Sequence, residues 1–326
     1  MSRRSRIAGS SWVRAVVSLG LLAIVLTQID LAQAETRLST GRWELFAAAV
    51  AVLLVSFLLA AVRWHLFLQA VGVQRRRHET IAAYLLGAFA NNFLPSQVGG
   101  DVARAWAVGG RGTRVAVAAT VVVDRATALA CLVAAAWLVY ALHPALVPGP
   151  LLVALAAATA GLVAAAALAA LAVGGAGRLH RRLSAASREA VAAGRACLRR
   201  RVLGPALVLG FLFQGLVLFA VWLLARSVSL DTPFSVLAVT VPAVLILSTL
   251  PVSIGGFGVR ESSFVLLLGR AGVSTTDATV LSLLSAAAFA LASLPGALAL
   301  LRSRGSARAP QAEDREQEGG DEDLHA

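Results

Sequence analysis

Long apolar runs alternate with short polar segments along the chain. The apolar blocks cover residues 12–29, 43–62, 79–94, 115–142, 150–173, 203–225, 234–250, 257–269 and 276–301. Several of them approach the roughly 20 residues that an α-helix needs to cross a bilayer. The pattern therefore predicts an all-α, polytopic helical membrane protein. We expect block 12–29 to be retained as the first span, because no convincing small-residue cleavage site follows it.

Composition agrees with that class of protein. Hydrophobic residues make up 58% of the chain and charged residues 14%, whereas about a quarter of a soluble domain is charged. The formal net charge is +12, and the basic side chains are arginines in short segments between apolar blocks. There they act as topology signals, so we expect no nucleic-acid partner. The two cysteines, Cys131 and Cys197, lie in an apolar block and an arginine-rich segment, and we expect no disulfide between them.

Arginine placement predicts which segments face the cytoplasm. The N-terminus, residues 63–78, residues 174–202 and the stretch after residue 302 are rich in arginine and should be cytoplasmic. Residues 30–42, 143–149 and 226–233 carry little net positive charge and should face outward. We therefore expect a multi-pass protein of the cell (plasma) membrane with both termini in the cytoplasm.

This topology constrains the short apolar blocks. An odd number of crossings must separate residue 78, inside, from residue 145, outside, and likewise residue 230 from residue 302. About six full spans plus two re-entrant helical hairpins, at about 79–112 and 234–270, meet this condition. Three short crossings at each place would also meet it, but blocks 79–94 and 257–269 are short for full spans. Block 115–142 is long enough that we expect it to tilt or to start along the interface.

Each predicted hairpin contains the same polar phrase. The stretches NNFLPSQVGGDVARAW at 91–106 and STLPVSIGGFGVRESSF at 248–264 share the pattern L-P-x-x-[VI]-G-G-x-x-x-R at an offset of 156 residues. The first hairpin would enter from inside and the second from outside, so the halves form an inverted repeat of the kind that transporters build from interrupted helices. We expect Pro95 and Pro251 to meet near the membrane midplane.

The phrase has the features of an anion site. Proline ends a helix, paired glycines allow a tight reversal, and the next helix points its positive end into the break. An arginine about one turn later supplies a guanidinium suited to phosphate. The predicted substrate-binding residues are Asn92, Gly99, Gly100, Asp101, Arg104, Asp124, Arg125, Gly255, Gly256, Arg260 and Glu261. In the alternative interpretation, the prolines and glycines only kink packed helices, and Arg104 and Arg260 only tie the hairpins to Asp101, Asp124 or Glu261.

Other intramembrane polar residues have two interpretations each. Asp124, Arg125 and Glu261 either form a structural salt-bridge network or contact lipid. Neighbours on a helix do not face each other, so Asp124 and Arg125 should have separate partners. Asn91 and Asn92 either cap broken backbone or touch a head group. Arg14 and Arg63 lie near predicted span ends, where we expect them to snorkel.

The two phrases, with Asp124–Arg125 between them, resemble the flippase-like transmembrane domain family, the YbhN-like transmembrane region of lysylphosphatidylglycerol synthases. The resemblance covers about residues 12–302 and is most specific at LPVSIGGFGVRE. It implies a domain that moves a lipid, such as an aminoacylated phosphatidylglycerol, between leaflets. Full-length synthases of the family also have a large cytoplasmic aminoacyl-transfer domain. Only a short acidic tail follows residue 302, so the resemblance implies the transport half without the synthesis half.

The domain prediction is an integral membrane domain at residues 1–305 and a disordered acidic cytoplasmic tail at 306–326. Residues 178–201 are either a topogenic cytoplasmic loop or an interfacial helix that gathers anionic lipid at the inner leaflet. The histidines are scattered without metal-ligand spacing, and no enzyme signature is convincing. We expect no cofactor and no metal.

Three functions stay open from the sequence. The favoured one is a lipid transporter, flippase or scramblase, for a phospholipid or other lipid with an anionic head group. It would be passive or ion-coupled, because no nucleotide-binding motif is present. An embedded transferase would use Asp101, Asp124 or Glu261 as base on a lipid-linked substrate. A non-catalytic membrane subunit would serve a separate synthase or glycosyltransferase. Membrane lipids are the expected partners, with a separate lipid-modifying enzyme as a further candidate.

Overall fold

The computed structural model describes residues 27, 29–92, 97–110, 112–147, 149–174, 184–248 and 258–298. Several sequence predictions fall outside these residues, namely those on the first span at 12–29, Arg14, Pro95, Pro251, Gly255, Gly256 and the acidic tail. The described helices are α1 Leu31–Ser39, α2 Trp43–Ala70, α3 Arg77–Asn91, α4 Gln97–Val108, α5 Arg114–Leu142, α6 Gly149–Gly174, α7 Ala185–Cys197, α8 Arg200–Ser227, α9 Phe234–Ser248, α10 Val259–Gly269 and α11 Thr275–Ser293. A 3-10 turn at Pro144–Leu146 lies between α5 and α6.

Five of the described helices are long and apolar enough to cross a membrane. They are α2, α5, α6, α8 and α11, the last counted with the helical residues that follow it to Leu298. α2 has 28 residues, which extend about 42 Å at the rise of an α-helix, and a hydrocarbon core is about 30 Å thick. These helices coincide with five of the predicted full spans. α3, α4, α9 and α10 have 15, 12, 15 and 11 residues and are too short to span.

The order of helix lengths recurs along the chain. α1 to α5 have 9, 28, 15, 12 and 29 residues, and α7 to α11 have 13, 28, 15, 11 and 19. α2 begins at Trp43 and α8 at Arg200, a shift within one residue of the offset between the two phrases. The likeness in helix order thus extends over five helices, and the inverted repeat itself stays a prediction. We call α1–α5 the first unit and α7–α11 the second unit.

The two units pack together through their long helices. α2 lies along α8, α5 contacts α8, and its counterpart α11 contacts α2. Fully buried alanines, Ala49 on α2 and Ala220 on α8, lie in the core that joins the units. Small side chains let helices approach closely in a membrane, where van der Waals contact replaces the hydrophobic drive. Leu237 of α9 and Leu281 of α11 extend this core through the second unit.

One segment predicted as an outward loop contains a helix. α1 lies within residues 30–42, and Asp30 caps it by accepting from the backbone N–H of Ala32 at 3.0 Å. Arg37 forms a bidentate salt bridge with Asp277 of α11, with Nε–Oδ1 at 2.9 Å and Nη2–Oδ2 at 3.2 Å. The prediction of a loop was wrong because α1 is short and has few apolar residues, so its stability comes from its cap and from this tertiary contact.

A helix also occupies the arginine-rich segment 178–201. This is α7, capped by Ser184 Oγ, which accepts from the backbone N–H of Ser187 at 3.2 Å. Cys197 at its end is fully buried, with Sγ 3.8 Å from the Phe67 carbonyl oxygen. Burial raises the pKa of the Cys197 thiol to about 11. Both Cys131 and Cys197 are free, as predicted, and lipid gathering by α7 stays a prediction.

Candidate functional site

α3 and α4 form a tight helical hairpin at the first phrase. The backbone N–H of Gly100 donates to Asn91 Oδ1 at 3.0 Å. A Cβ at Gly87 would lie 2.7 Å from the Gly100 carbonyl oxygen and 3.2 Å from Arg104 Cβ. Asn91, later in α3, contacts Gly100, whereas Gly87, earlier in α3, also approaches Arg104, later in α4. The two helices therefore run antiparallel. The hairpin predicted at 79–112 is present as a pair of helices, and its re-entry into the membrane stays a prediction.

The tip of this hairpin contacts the second unit. Asn92 Nδ2 donates to Ser293 Oγ of α11 at 2.8 Å. A Cβ at Gly296, just beyond α11, would collide with the Leu85 carbonyl group of α3. Asn91 caps backbone within the hairpin and Asn92 joins the units, so both asparagines have structural partners. Their contact with a head group stays a prediction.

Asp124 lies at the centre of a buried ion network in the first unit. It accepts from Arg63 Nε of α2 at 2.8 Å and from Arg104 Nη1 of α4 at 2.9 Å. All three residues are buried: Arg63 and Asp124 are 2% exposed, and Arg104 is 3% exposed. A carboxylate on α5 therefore ties a long helix to α4. The sequence predicted that this helix would begin after the first glycine pair, but α4 begins at Gln97 and includes both glycines in its first turn. This geometry needs all three helices in place.

The network continues from Arg104 towards the surface. Asp101 Oδ1 lies 3.1 Å from Arg104 Nη2, and Asp101 Oδ2 accepts from Arg125 Nε at 2.7 Å. The Arg125 side chain is 40% exposed and that of Asp101 15%. The Arg104 guanidinium also lies over two aromatic rings, 4.8 Å from the centroid of Trp64 and 4.9 Å from that of Tyr84. Carboxylates thus bind the edge of the Arg104 guanidinium, and aromatic rings contact its faces.

Formal charge does not cancel among the residues of this network that the structure describes. They are three arginines and two aspartates, which leaves one positive charge in excess. In addition, the buried Nη1 of Arg63 has no hydrogen-bond partner among the described residues. Charges in a membrane interior are costly and are usually paired. The network runs from the buried carboxylate of Asp124 to the half-exposed guanidinium of Arg125. Its excess positive charge is therefore suited to an anionic ligand.

The second phrase is built more simply in its described part. Gly258 has φ +83 and precedes α10. Glu261 is fully buried and accepts from the Gly258 backbone N–H at 2.6 Å through Oε2. Its Oε1 accepts from Arg260 Nη2 at 2.6 Å. Arg260 and Glu261 are adjacent in sequence, so this pair forms inside one helical turn.

A comparison with protein families adds to this geometry. The family model described as the lysylphosphatidylglycerol synthase TM region matches residues 11–296. The chain belongs to this family. No curated protein and no solved structure matches it. Membership, together with the apolar helices, makes this a membrane protein and suggests a lipid-related function.

For this member of the lysylphosphatidylglycerol synthase TM region family, the structure brings together four of the predicted site residues, Asp101, Arg104, Asp124 and Arg125. They form the salt-bridge network that was one of the two sequence interpretations, and Asp124 and Arg125 have separate partners as expected. Gly99 and Gly100 open α4 beside this network. Arg260 and Glu261 pair within the second unit. Lipid contact at any of these residues stays a prediction.

One sequence prediction about this network was wrong. Arg63 does not snorkel to an interface but is buried against Asp124. The predicted apolar block stopped at residue 62, whereas α2 continues to Ala70. The signal for this was present, because WHLFLQA after Arg63 is mostly apolar and places the arginine inside the helix. Trp64 and Tyr84, which face the Arg104 guanidinium, were also missed, since aromatic residues in apolar blocks have no distinctive pattern.

Proposed function

We propose that the protein is a lipid transporter, flippase-like or scramblase-like, which moves a phospholipid or another lipid with an anionic head group between leaflets. The observation that carries the proposal is the buried network of Arg63, Asp124, Arg104, Asp101 and Arg125 with its excess positive charge. Family membership supports it independently, because the matched region belongs to proteins of lipid synthesis.

Stability alone is a poor explanation for this network. Replacing a buried ion pair by apolar residues of similar volume is often neutral or stabilising. A chain that keeps three arginines and two aspartates among its membrane helices gains little from them as structural ties. As a binding device, by contrast, the network holds guanidinium groups in place in advance, and their planar forks match the oxygens of a phosphodiester. Each charge-assisted bond of this kind contributes about 1.5–3 kcal/mol.

The route across the membrane follows from the repeat. Each unit contributes two full spans and a hairpin that does not cross, and α6 adds one span between the units. The second unit would therefore be inverted relative to the first. In transporters with this arrangement the substrate site lies where the interrupted helices meet, and it opens alternately to each side. On this topology the network lies in the cytoplasmic half of the plasma membrane, because Arg63 is about 10 Å from the cytoplasmic end of α2.

The side chains divide the work of moving the lipid. Arg125, at the half-exposed end of the network, would meet the head group first, and Arg104 lies behind it across Asp101. A phosphodiester would take the place of Asp101 between the two guanidiniums, while Asp124 keeps Arg63 and Arg104 fixed. The acyl chains stay in the surrounding lipid. Arg260 in the second unit would receive the same phosphate on the other side of the membrane.

Reconstitution tests this proposal. Purified protein in phosphatidylcholine vesicles should equilibrate a tail-labelled phosphatidylglycerol between leaflets, measured by quenching with a reductant that does not cross the bilayer. Arg104→Gln should slow this movement most, Arg260→Gln less, and Arg260→Lys less still. If both arginines serve one path, the double Gln variant should be non-additive. Arg270→Gln is the matched control, because Arg270 is exposed and lies outside both phrases.

Two results would contradict the proposal. Vesicles that contain the wild-type protein could exchange lipid no faster than protein-free vesicles. Alternatively, Arg104→Gln and Arg260→Gln could lower folded yield and melting temperature while transport per folded molecule stays normal. The second result would make the arginines purely structural.

A further inference from the structure

A cavity with both polar and apolar walls lies far from the buried network. It has a volume of about 530 Å³ and lies between the start of α2 and the end of α8. Its polar lining is formed by Arg42, Arg226, Ser229 and the carboxylate of Asp231, and its apolar lining by Leu45, Trp222 and Leu223. Arg42 precedes Arg63 by 21 residues, which along a helix is about 30 Å. The cavity is therefore a separate place near the opposite membrane surface.

The cavity holds two guanidiniums whose carboxylate partners are mostly exposed. Arg226 Nη1 lies 2.6 Å from Asp231 Oδ1, and the Asp231 side chain is 89% exposed. Arg42 Nε lies 2.9 Å from Glu44 Oε1, with both side chains more than half exposed. Exposed ion pairs of this kind contribute little free energy. Either arginine can therefore exchange its carboxylate for another anion at small cost.

The cavity wall is formed in advance. The Arg42 backbone N–H donates to the Ser227 carbonyl oxygen at 2.7 Å, and Arg37 Nη1 donates to the Ser229 carbonyl oxygen at 3.2 Å. The Arg226 guanidinium lies 5.6 Å from the centroid of the Trp222 ring, which fixes the direction of its donors. A ligand would not need to organise this loop.

We propose that this cavity binds the phosphodiester head group of a phospholipid in the leaflet where α2 begins, which is the outer leaflet on the proposed topology. Arg42 and Arg226 hold the phosphate, and the acyl chains leave along Leu45, Trp222 and Leu223. A lipid fits better than free phosphate because three of the seven lining residues are apolar. Trp43, half exposed beside the cavity, is the residue type that settles at a membrane interface. That the cavity binds a lipid does not depend on the proposed function. That it forms the outer end of the transport path rests on the proposed function.

Photo-crosslinking tests the binding directly. The full chain is purified in a maltoside detergent with a benzophenone amino acid in place of Phe219. The Phe219 ring stacks on that of Trp222, with 5.7 Å between the ring centroids. Alkyne-tailed phosphatidylglycerol should be captured, and alkyne-tailed diacylglycerol, which lacks the phosphodiester, much less. Arg42→Gln with Arg226→Gln should lower capture about tenfold, the effect of losing about one charge-assisted bond. Arg270→Gln should leave capture unchanged, and excess inorganic phosphate should not compete.

The outcomes separate this inference from the proposed function. Equal capture of both lipids, or capture unaffected by the double substitution, overturns the inference. Competition by inorganic phosphate overturns the lipid assignment. If Arg226→Gln fails to fold, Arg42→Gln alone still tests the inference, because the Arg42 side chain and its carboxylate partner are both mostly exposed. This single substitution should lower capture several-fold. If capture behaves as expected but vesicles show no lipid movement, the transport proposal fails and the lipid site stands.

Discussion

The two units share their helix order but differ in what they bury. The first unit joins five charged side chains across α2, α4 and α5. In the second unit, the described part of the corresponding phrase holds an ion pair between the neighbours Arg260 and Glu261. α8 has no charged residue between Arg201 and Arg226, whereas its counterpart α2 has Arg63. Both phrases thus contain the arginine, and among the described residues the network around it lies in the first unit.

Hydroxyl groups occupy much of the polar interior of the second unit. Thr240 of α9, Ser263 of α10 and Thr279, Ser282 and Ser285 of α11 are buried. Hydroxyls can bond to the carbonyl groups of their own helix, as Ser285 Oγ does to the Leu281 carbonyl at 2.7 Å. Such groups offer a lipid head group weak, neutral contacts. The first unit also buries hydroxyls, such as Thr80 and Thr120, so the units differ in the charged network. On the proposed function, the first unit would therefore bind the anion more strongly than the second.

Removing the central carboxylate of each unit should expose this difference most clearly. Asp124→Asn leaves Arg63 and Arg104 buried without their shared counter-charge, and we expect a loss of about 3–5 kcal/mol in the free energy of unfolding. Glu261→Gln removes the carboxylate that pairs with Arg260, whose side chain is 18% exposed, so about 1–3 kcal/mol is expected. Thermal unfolding in detergent measures both.

Asp231→Asn is the control for these substitutions, because that carboxylate is almost fully exposed and its loss should change little. Equal destabilisation by Asp124→Asn and Glu261→Gln would contradict the difference between the units.

The glycines of the two hairpins give a smaller contrast. A Cβ at Gly100 would collide with the Gly87 carbonyl oxygen and the Asn91 side chain. Gly100→Ala should therefore separate α3 from α4 and cost about 1–3 kcal/mol. We expect a smaller loss for Gly258→Ala, which strains the backbone at φ +83. Folded yield and melting temperature measure the order of the two.

Gly194→Ala is the matched control, since nothing lies within 4 Å of a Cβ at that helical position and alanine favours a helix. A larger loss at Gly258 than at Gly100 would mean that the first hairpin has room to move apart.

How much of this was visible in the sequence depends on whether the signal is local. The long spans were predicted because apolar length is a property of one segment, and the paired phrases because their spacing is fixed along the chain. The pairing of Arg104 or Arg260 with Asp101, Asp124 or Glu261 was only an alternative to anion binding, because the sequence does not show which charges meet. Arg63 was not among the expected partners of Asp124, since the two meet only through tertiary packing. Adjacent residues on a helix usually diverge, but the long Arg260 side chain folds back onto Glu261 at the first turn of α10.

The smallest expected change in stability concerns the two peripheral helices, α1 and α7. α1 is attached to its neighbours by the partly exposed ion pair of Arg37 with Asp277, and α7 by the buried Cys197. Because the Cys197 pKa is raised to about 11, its thiolate is scarce at pH 8 and appears only as the pH rises towards that value. Maleimide labelling at pH 8 should be about 100-fold slower than for an exposed cysteine of ordinary pKa.

Arg37→Gln turns this labelling into a test of independence between the units. The substitution removes a salt bridge that is partly exposed and should cost about 1 kcal/mol or less. It weakens the attachment of α1 to α11, which keeps the hydrogen bonds of Asp30 with Thr276 and of Gln33 with Ser274, and it does not touch the contact between Cys197 and the Phe67 carbonyl oxygen. We therefore expect the labelling rate of Cys197 to stay the same, with an introduced Ala186→Cys on the exposed start of α7 as the fast reference. Faster labelling of Cys197 in Arg37→Gln would show instead that the two peripheral helices are coupled, because a weaker attachment of α1 would then loosen α7 at a distance.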